Sequence, residues 1–390
     1  MLEEHDDDIP VLSLEDPEIE ENDGEAVENA VKGSIRYAFI GSGQGGSRLA
    51  AEAYKIGYRK TICINTAPQD LSAIQIPEEQ KLCLDIGPGG AGKDPARGEE
   101  ATTKHQQAIY NLMKQVFGKQ IDHIMICAGA GGGSGGGSVL PLIMIAKRYL
   151  QFLGHVEDLD KRVGVVLTLP TNSEVVAVRV AWNAYQVASK VSDLAEAGSI
   201  APLVVVDNDK VLELRRGIPM VKMWPTVNFD VMNLFHIFNL LSLKHSSYTS
   251  FDPSDYASVV KAGGHTIMGV TSVKPEQAQN ETEIMRVVKS SLDRTLLADG
   301  FDLSTATHVA AIVMAGRQTL EEVPGLAEVI EYVFSMLGTL TSAQLVHRGV
   351  YEDSRPGLRI YTIVSGLQRP LTRYRRLETL SRERYPFTER

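Results

Sequence analysis

Between Ala128 and Ser138 the chain runs Ala-Gly-Ala-Gly-Gly-Gly-Ser-Gly-Gly-Gly-Ser, a nearly side-chain-free backbone held between two apolar segments. Upstream, Ile121 to Cys127 (IDHIMIC) reads as a short buried strand; downstream, Val139 to Leu150 (VLPLIMIAKRYL) reads as the first turns of a packed helix. A flexible linker would not interrupt a strand–helix unit, so the run is a turn inside one. Glycines there let backbone N–H groups close around phosphate oxygens with no Cβ in the way. The helix N-terminus adds partial positive charge.

With 390 residues, 43% of them apolar and 6% aromatic, the chain can build two domains around a large core. No segment has the length and apolarity of a membrane span, and the start is acidic where a signal peptide would be basic and then apolar. A cytoplasmic protein without direct membrane insertion is expected. Cys63, Cys83 and Cys127 form no CxxC pair and read as reduced thiols, and the nine histidines show no HExxH spacing.

The formal net charge of −10 is distributed unevenly. Residues 1 to 30 hold thirteen Asp and Glu with no Lys or Arg, which leaves the remaining 36 acids facing 39 bases, about +3 for the body. The acidic head is too poor in hydrophobes to offset its ordering entropy and is expected to be disordered. Arg369 to Arg390 holds seven Arg against three Glu and reads as a basic tail. It serves either as solubilising surface or as an electrostatic dock for a partner or another copy of the chain.

Strand and helix signals alternate through the first half. Ser34 to Ile40 is a strand opening into Gly41-Ser-Gly-Gln-Gly-Gly-Ser47, then a helix over about Arg48 to Ile56; Lys60 to Ile64, Val163 to Leu169 and Leu203 to Val206 are further strands. That is the pattern of an α/β parallel sheet covered on both faces, with ligands at the strands' carboxyl ends. Phe229 to Leu243 is apolar nearly all round and reads as a buried spine helix. Strands near Thr266 to Thr271, His308 to Met314 and Leu358 to Ser365 then predict a smaller α+β unit with a mixed sheet.

Two glycine motifs suggest other chemistries and fail on their context. Gly41-x-Gly43-x-x-Gly46 fits the dinucleotide fingerprint of an NAD-dependent dehydrogenase, but the next strand ends in Asn65-Thr66 instead of a ribose-binding acid. Gly87-Pro-Gly-Gly-Ala-Gly-Lys93-Asp94 is a near miss to the P-loop, with Asp94 where a Mg²⁺-binding hydroxyl is needed.

Taken in order, the loops resemble those of the tubulin/FtsZ superfamily of filament-forming GTPases. Gly131-Gly132-Gly133-Ser134-Gly135-Gly136-Gly137 is similar to the signature GGGTGTG. Gly43-Gln44-Gly45-Gly46 is similar to the first glycine loop, with Gln44 where tubulins carry a glutamine near Mg²⁺. Asn65-Thr66 resembles Asn-Thr-Asp, and Gly90-Ala91-Gly92 through Gly98 resembles the GAGxxPxxG loop at the γ-phosphate. Pro170 and Glu174 resemble the sugar-binding loop, with Arg179 one position late, and Asn208-Asp209-Lys210 resembles the loop after the next strand. Ser250-Phe-Asp252-Pro-Ser-Asp255 resembles the NxDxxD acid loop, so the resemblance makes Asp252 and Asp255 the catalytic acids; by itself DPSD is also a good helix start. For the base, Asn228 with Trp224 one turn earlier is preferred to Asn233 behind Phe229. Asn228 lies 27 residues before Asp255 and Asn233 only 22.

The resemblance implies GTP or GDP with Mg²⁺ in a Rossmann-like domain over residues 31–222, a central helix over 223–248 and an activation domain over 249–368. These lie between the acidic extension 1–30 and the tail 369–390. It implies head-to-tail self-assembly into cytoskeletal filaments, with GTP hydrolysed where one subunit's acids meet the next subunit's nucleotide. A nucleotide-binding homologue with little hydrolysis is the second reading. Ser134 stands for the signature threonine, Ala67 for the acid of Asn-Thr-Asp and Ser250 for the leading asparagine. The loss at Ala67 leaves metal coordination to other groups or water. With an Arg-rich end in place of a division-ring peptide, the chain resembles the divergent prokaryotic, plasmid or phage members of the TubZ or CetZ kind. A DNA-bound adaptor is then a candidate partner for the tail.

Overall fold

The computed structural model describes residues 27–343 and 345–384. Ten strands, β1 (Tyr37–Ser42), β2 (Thr61–Asn65), β3 (Lys81–Cys83), β4 (His123–Gly129), β5 (Val163–Leu169), β6 (Leu203–Asp207), β7 (His265–Val273), β8 (His308–Gly316), β9 (Val346–Asp353) and β10 (Leu358–Leu367), form one sheet in the order β3-β2-β1-β4-β5-β6-β7-β10-β8-β9. Pairing is parallel from β3 to β7, antiparallel on both sides of β10, and parallel again between β8 and β9. The two halves predicted as separate units are therefore one sheet, joined by a single residue pair, Leu203 with His265.

Residues alternate between two apolar layers, as a doubly covered sheet requires. Tyr37, Phe39, Met125 and Cys127 face one core, and Ala38, Ile40, Ile124 and Ile126 face the other. The central helix runs Met220–Leu241, shorter at its end than the sequence predicts, and buries Val227, Val231, Phe235 and Phe238 in the first core.

Both glycine turns prove to be helix. The sequence predicts helices from Arg48 and from Val139; they begin at Gly43 and Gly133. Glycine's low helix propensity is overridden by tertiary contact. A Cβ on Gly46 would lie 2.0 Å from Cys127 O, and one on Gly137 would lie 2.0 Å from Pro95 O. The helix Gly43–Ile56 thus lies directly on β4, and the helix Gly133–Phe152 directly on the helix Pro95–Lys104.

The two chain ends also depart from expectation. Residues 1–26 of the acidic head lie outside the described residues, but Asn29 and Ala30 are tied to the body: Asn29 Nδ2 donates to Tyr37 O and Ala30 N to Gly57 O, each at 2.9 Å. The basic tail is largely a packed helix, Leu371–Arg384, with Tyr374 and Leu377 buried against the helix Val178–Glu196. Arg369 bonds Glu196 and Asp193, and Arg373 is buried in an ion pair with Asp207. Charge counting reads these arginines as free, whereas the fold has partnered them. The last six residues, 385–390, lie outside the described residues.

Candidate functional site

A cleft of about 400 Å³ opens at the carboxyl ends of β1, β4, β5 and β6, where Ser42, Gly129, Thr168 and Asn208 end or follow the strands. This is where open α/β sheets hold ligands. Two helices present their N-termini to it. Gly43, Gln44 and Gly45 open the first, and Gly131, Gly132 and Gly135 frame the start of the second. Gly43 has φ +67°, and a Cβ there would lie 2.8 Å from Gly135 N, so the two turns touch backbone to backbone. Unpaired N–H groups of two helix ends converging on one cleft favour an anion.

Pro170 and Glu174 close the next side; Glu174 Oε2 accepts from Thr171 N at 2.8 Å and Thr171 Oγ1 at 3.0 Å, which fixes its turn. The far wall comes from the central helix through Trp224 and Asn228. Asn233 is buried one turn further on and does not line the cleft. Of the two asparagines left open by the sequence, only Asn228 faces the cavity.

Sequence reasoning misses Arg48 and Lys93, the two cations of the cleft. Arg48 is four residues after Gln44 on the same helix face, a signal that was available. Lys93 belongs to the discarded P-loop reading; it sits at φ +60° in the turn before the helix Pro95–Lys104.

Other predicted site residues stand behind the cleft instead of in its lining. Thr66 Oγ1 links three loops, lying 2.6 Å from Ser134 Oγ and accepting from Ala91 N at 3.0 Å. Gly90 packs on Thr66, with φ +55°, and Gly92 has φ +55° in the same turn. Gly46, Gly133 and Gly136 make room for backbone or side chains and line no part of the cleft. Asn65 is buried, with Oδ1 accepting from Ala67 N. Arg179 turns away to Asp94 at 2.8 Å and lines a second cavity of about 650 Å³ with Trp182 and Lys190.

The position vacated at Ala67 is compensated in space. Asp70 Oδ1 accepts from Gln44 Nε2 at 3.1 Å, and Asp70 Oδ2 from Asn65 Nδ2 at 3.5 Å. Among the described residues no three His, Cys, Asp or Glu side chains cluster as a metal cage. Gln44 in the cleft lining and the Asp70 carboxylate bonded to it fit Mg²⁺ held mainly by phosphates and water, the usual manner of this ion.

Asp252 and Asp255 are far from the cleft. They form a reciprocal capping box on the helix Pro253–Val260: Asp252 Oδ1 accepts from Ser254 N and Asp255 N, and Asp255 Oδ2 accepts from Asp252 N. Tyr256 of this helix lies 3.0 Å, oxygen to oxygen, from Tyr37 at the opening of β1, whereas Ser42 at the other end of β1 lines the cleft. The six residues between span roughly 17 Å. The backbone N–H of Asp255 and the Ser254 hydroxyl hold the exposed Asp252 carboxyl below its ordinary range. His347 Nδ1 lies 2.7 Å from Asp255 Oδ1.

Residues 36–215 match the model of the tubulin/FtsZ family GTPase domain, and residues 249–371 match the C-terminal domain of the tubulin-like protein TubZ. The chain belongs to the tubulin/FtsZ family. It is of the divergent TubZ-like type and carries a GTPase domain. Among curated relatives it is 27% identical to the tubulin-like protein TubZ of Bacillus cereus, over 86% of this chain and 80% of that one. It is also 27% identical to the cell division protein FtsZ 2 of Halobacterium salinarum, over 86% and 78%. A GTPγS-form protofilament of TubZ from Bacillus thuringiensis serovar israelensis shares the fold with a TM-score of 0.75 at 19% identity, over 90% and 92% of the two chains. CetZ2 from Haloferax volcanii, a GTPγS-bound protofilament, gives 0.69 at 20%, over 89% and 97%. Family membership removes the dehydrogenase reading of Gly41 to Gly46. Among the described residues no helix is long and apolar enough to cross a membrane.

Proposed function

We propose that the chain is a cytoplasmic GTPase that assembles head to tail into cytoskeletal filaments, each contact completing one hydrolytic site. The observation that carries this reading is the separation of the cleft from Asp252 and Asp255 by the length of the sheet. Within one chain they stand at opposite ends of β1, roughly 17 Å apart, and a second chain stacked in the same direction would bring its acids to the cleft.

In such a contact the helix ends, Arg48 and Lys93 hold the phosphates, Trp224 and Asn228 hold the base, and Pro170 and Glu174 the sugar. Gln44 and Asp70 would hold Mg²⁺, which would supply positive charge against the phosphates. Asp252, ionised at neutral pH, polarises the attacking water, and Asp255 fixes the acid turn. Phosphoryl transfer depends mainly on positioning and charge stabilisation, so catalysis completed by a neighbour suits it.

Exposed apolar side chains support the same geometry. Val176 (62% exposed) and Val221 (86%) flank the cleft, and Leu243 (53%) and Tyr248 (57%) precede the acid turn. Two different patches at opposite ends make a heterologous contact, which extends without closing. An adaptor, if reached through the C-terminal helix, would meet the outward-facing Arg375 and Arg376.

The test is complementation. Asp252→Ala and a cleft variant, Asn228→Ala with Arg48→Ala, are each expected to be inactive alone and to recover GTP turnover when mixed. Turnover per subunit in the parent protein rises above a threshold concentration. A rate per subunit independent of concentration, with no recovery on mixing, would overturn the shared site; binding without turnover at any concentration would support the reading with little hydrolysis.

A further inference from the structure

The segment that the sequence offers as a basic tail reaches the back of the nucleotide cleft. Arg373, 4% exposed, stands on the helix Leu371–Arg384, whose N-terminal end meets the loops that follow β5 and β6. Its Nη2 donates to Pro170 O at 2.6 Å, its Nη1 to Asn172 Oδ1 at 3.3 Å, and its Nε lies 2.9 Å from Asp207 Oδ2. Asp207, 3% exposed, accepts from Asp209 N through its other oxygen, and Asn172 bonds the Asp209 carboxylate through both its backbone and side-chain amides. One guanidinium therefore ties together two loops that present Pro170, Glu174 and Asn208 to the cleft.

We infer that Arg373 is a positioning residue for the nucleotide, and that docking of the C-terminal helix and binding of GTP or GDP are thermodynamically coupled through it. The inference rests on the reading of this cleft as the nucleotide site. Arg373 touches no nucleotide atom; it fixes the backbone carbonyl of Pro170 and the carboxylate that caps the turn carrying Asn208. The rest of the helix is anchored independently. Tyr374 Oη lies 2.9 Å from Ser192 Oγ, and Arg369 bonds Asp193 at 2.6 Å. These contacts are with the helix Val178–Glu196, which starts directly after the turn carrying Glu174. A geometry-matched, fully desolvated Arg holds planar acceptors in a way Lys cannot, since its fork meets several at once.

Coupling is reciprocal, so each direction gives a measurement. In the unmodified full chain, saturating GDP is expected to slow hydrogen exchange of amides in the helix Leu371–Arg384. Arg373→Gln is expected to weaken binding of a fluorescent GDP roughly 5- to 150-fold, the usual range of coupling. Arg373→Lys restores less than half of the loss on a logarithmic scale. The Asp207→Asn, Arg373→Gln pair keeps the site uncharged and folded if either single variant is unstable. Exchange of the helix unchanged by GDP that demonstrably binds, or undiminished affinity in folded Arg373→Gln, overturns the coupling. Failure of the parent protein to bind GDP overturns instead the assignment of the cleft.

Discussion

Gly45 and Gly46 are neighbours in one helix turn, and the structure gives them opposite responses to a single methyl group. At Gly46 the added Cβ would meet Cys127 O at 2.0 Å, Cys127 C at 2.6 Å and Ala128 Cα at 2.8 Å. All three atoms are backbone of β4, and the shortest contact falls roughly 1.5 Å or more inside the normal van der Waals separation. Relief requires moving the strand or the helix, so overpacking costs about 3 kcal/mol, against which alanine's helix propensity returns about 1. Gly46→Ala is thus expected to lose about 2 kcal/mol of stability. At Gly45 the nearest atom to an added Cβ is Thr168 Oγ1 at 3.7 Å, an ordinary contact. Gly45→Ala is expected to gain up to about 1 kcal/mol in the nucleotide-free protein. The methyl intrudes on the cleft, though, and a misfit of about 1–3 kcal/mol lowers GDP affinity roughly 5- to 150-fold. Urea unfolding without nucleotide and titration with a fluorescent GDP read the two quantities separately. Gly46→Ala as stable as the parent, or Gly45→Ala less stable than the parent, would refute the division of these glycines into packing and binding roles.

His347→Phe is expected to lower kcat about 10-fold or more while GDP affinity holds, because the hydrogen bond to the Asp255 carboxylate, about 1.5–3 kcal/mol for a charged group, disappears; steady-state kinetics beside nucleotide titration checks the split. Asp70→Asn is expected to raise the Mg²⁺ concentration needed for half-maximal nucleotide retention about tenfold and to leave Mg²⁺-free GDP binding unchanged, as a titration of nucleotide release with EDTA-treated protein would read. Burial pushes His123 down to about 3 and His236 and His265 down to about 4, so each stays neutral in the fold while the unfolded chain takes a proton below its ordinary value of 6.5. Stability is therefore fully present above about pH 6.5 and falls as pH drops toward 4, with a slope of up to about 1.4 kcal/mol per pH unit for each histidine; urea midpoints at pH 7.5 and 5.5 that coincide would contradict this.

Much of the site was legible because its residues are consecutive. The glycine run, the capping box at Asp252 and Asp255 and the apolar spine are local patterns, and local patterns survive in one dimension. What was not legible depends on distant partners. Helix begins at Gly43 and Gly133 against propensity, because Gly135 N and Asp94 N come too close for any side chain, and nothing near those glycines in sequence announces either contact. Arg369 and Arg373 read as free charge because Glu196 and Asp207 lie more than 160 residues away. Asp70 escaped notice because the motif directs attention to position 67, whereas the carboxylate returns through a helical turn to Gln44. Strand β9 pairs with β8 at the outer edge of the sheet, with one isolated bridge from Val350 to Thr249, and its polar sequence VHRGVYED lacks the apolar run of a central strand.

The placement of Asp252 and Asp255 at the far end of the sheet from the cleft has an arithmetical result. In the proposed head-to-tail row of n chains, n − 1 clefts would face a neighbour's acids, and the one terminal cleft would face solvent. Two chains joined once would run at half the limiting turnover per chain, and the limit is approached only as the row lengthens. The two ends of any row are also chemically unlike: one displays a nucleotide with nothing to cleave it, the other displays acids with nothing to cleave. On the proposed shared site, direction would be written into each chain before any partner reads it, and the age of the nucleotide would record how long a chain has had a neighbour.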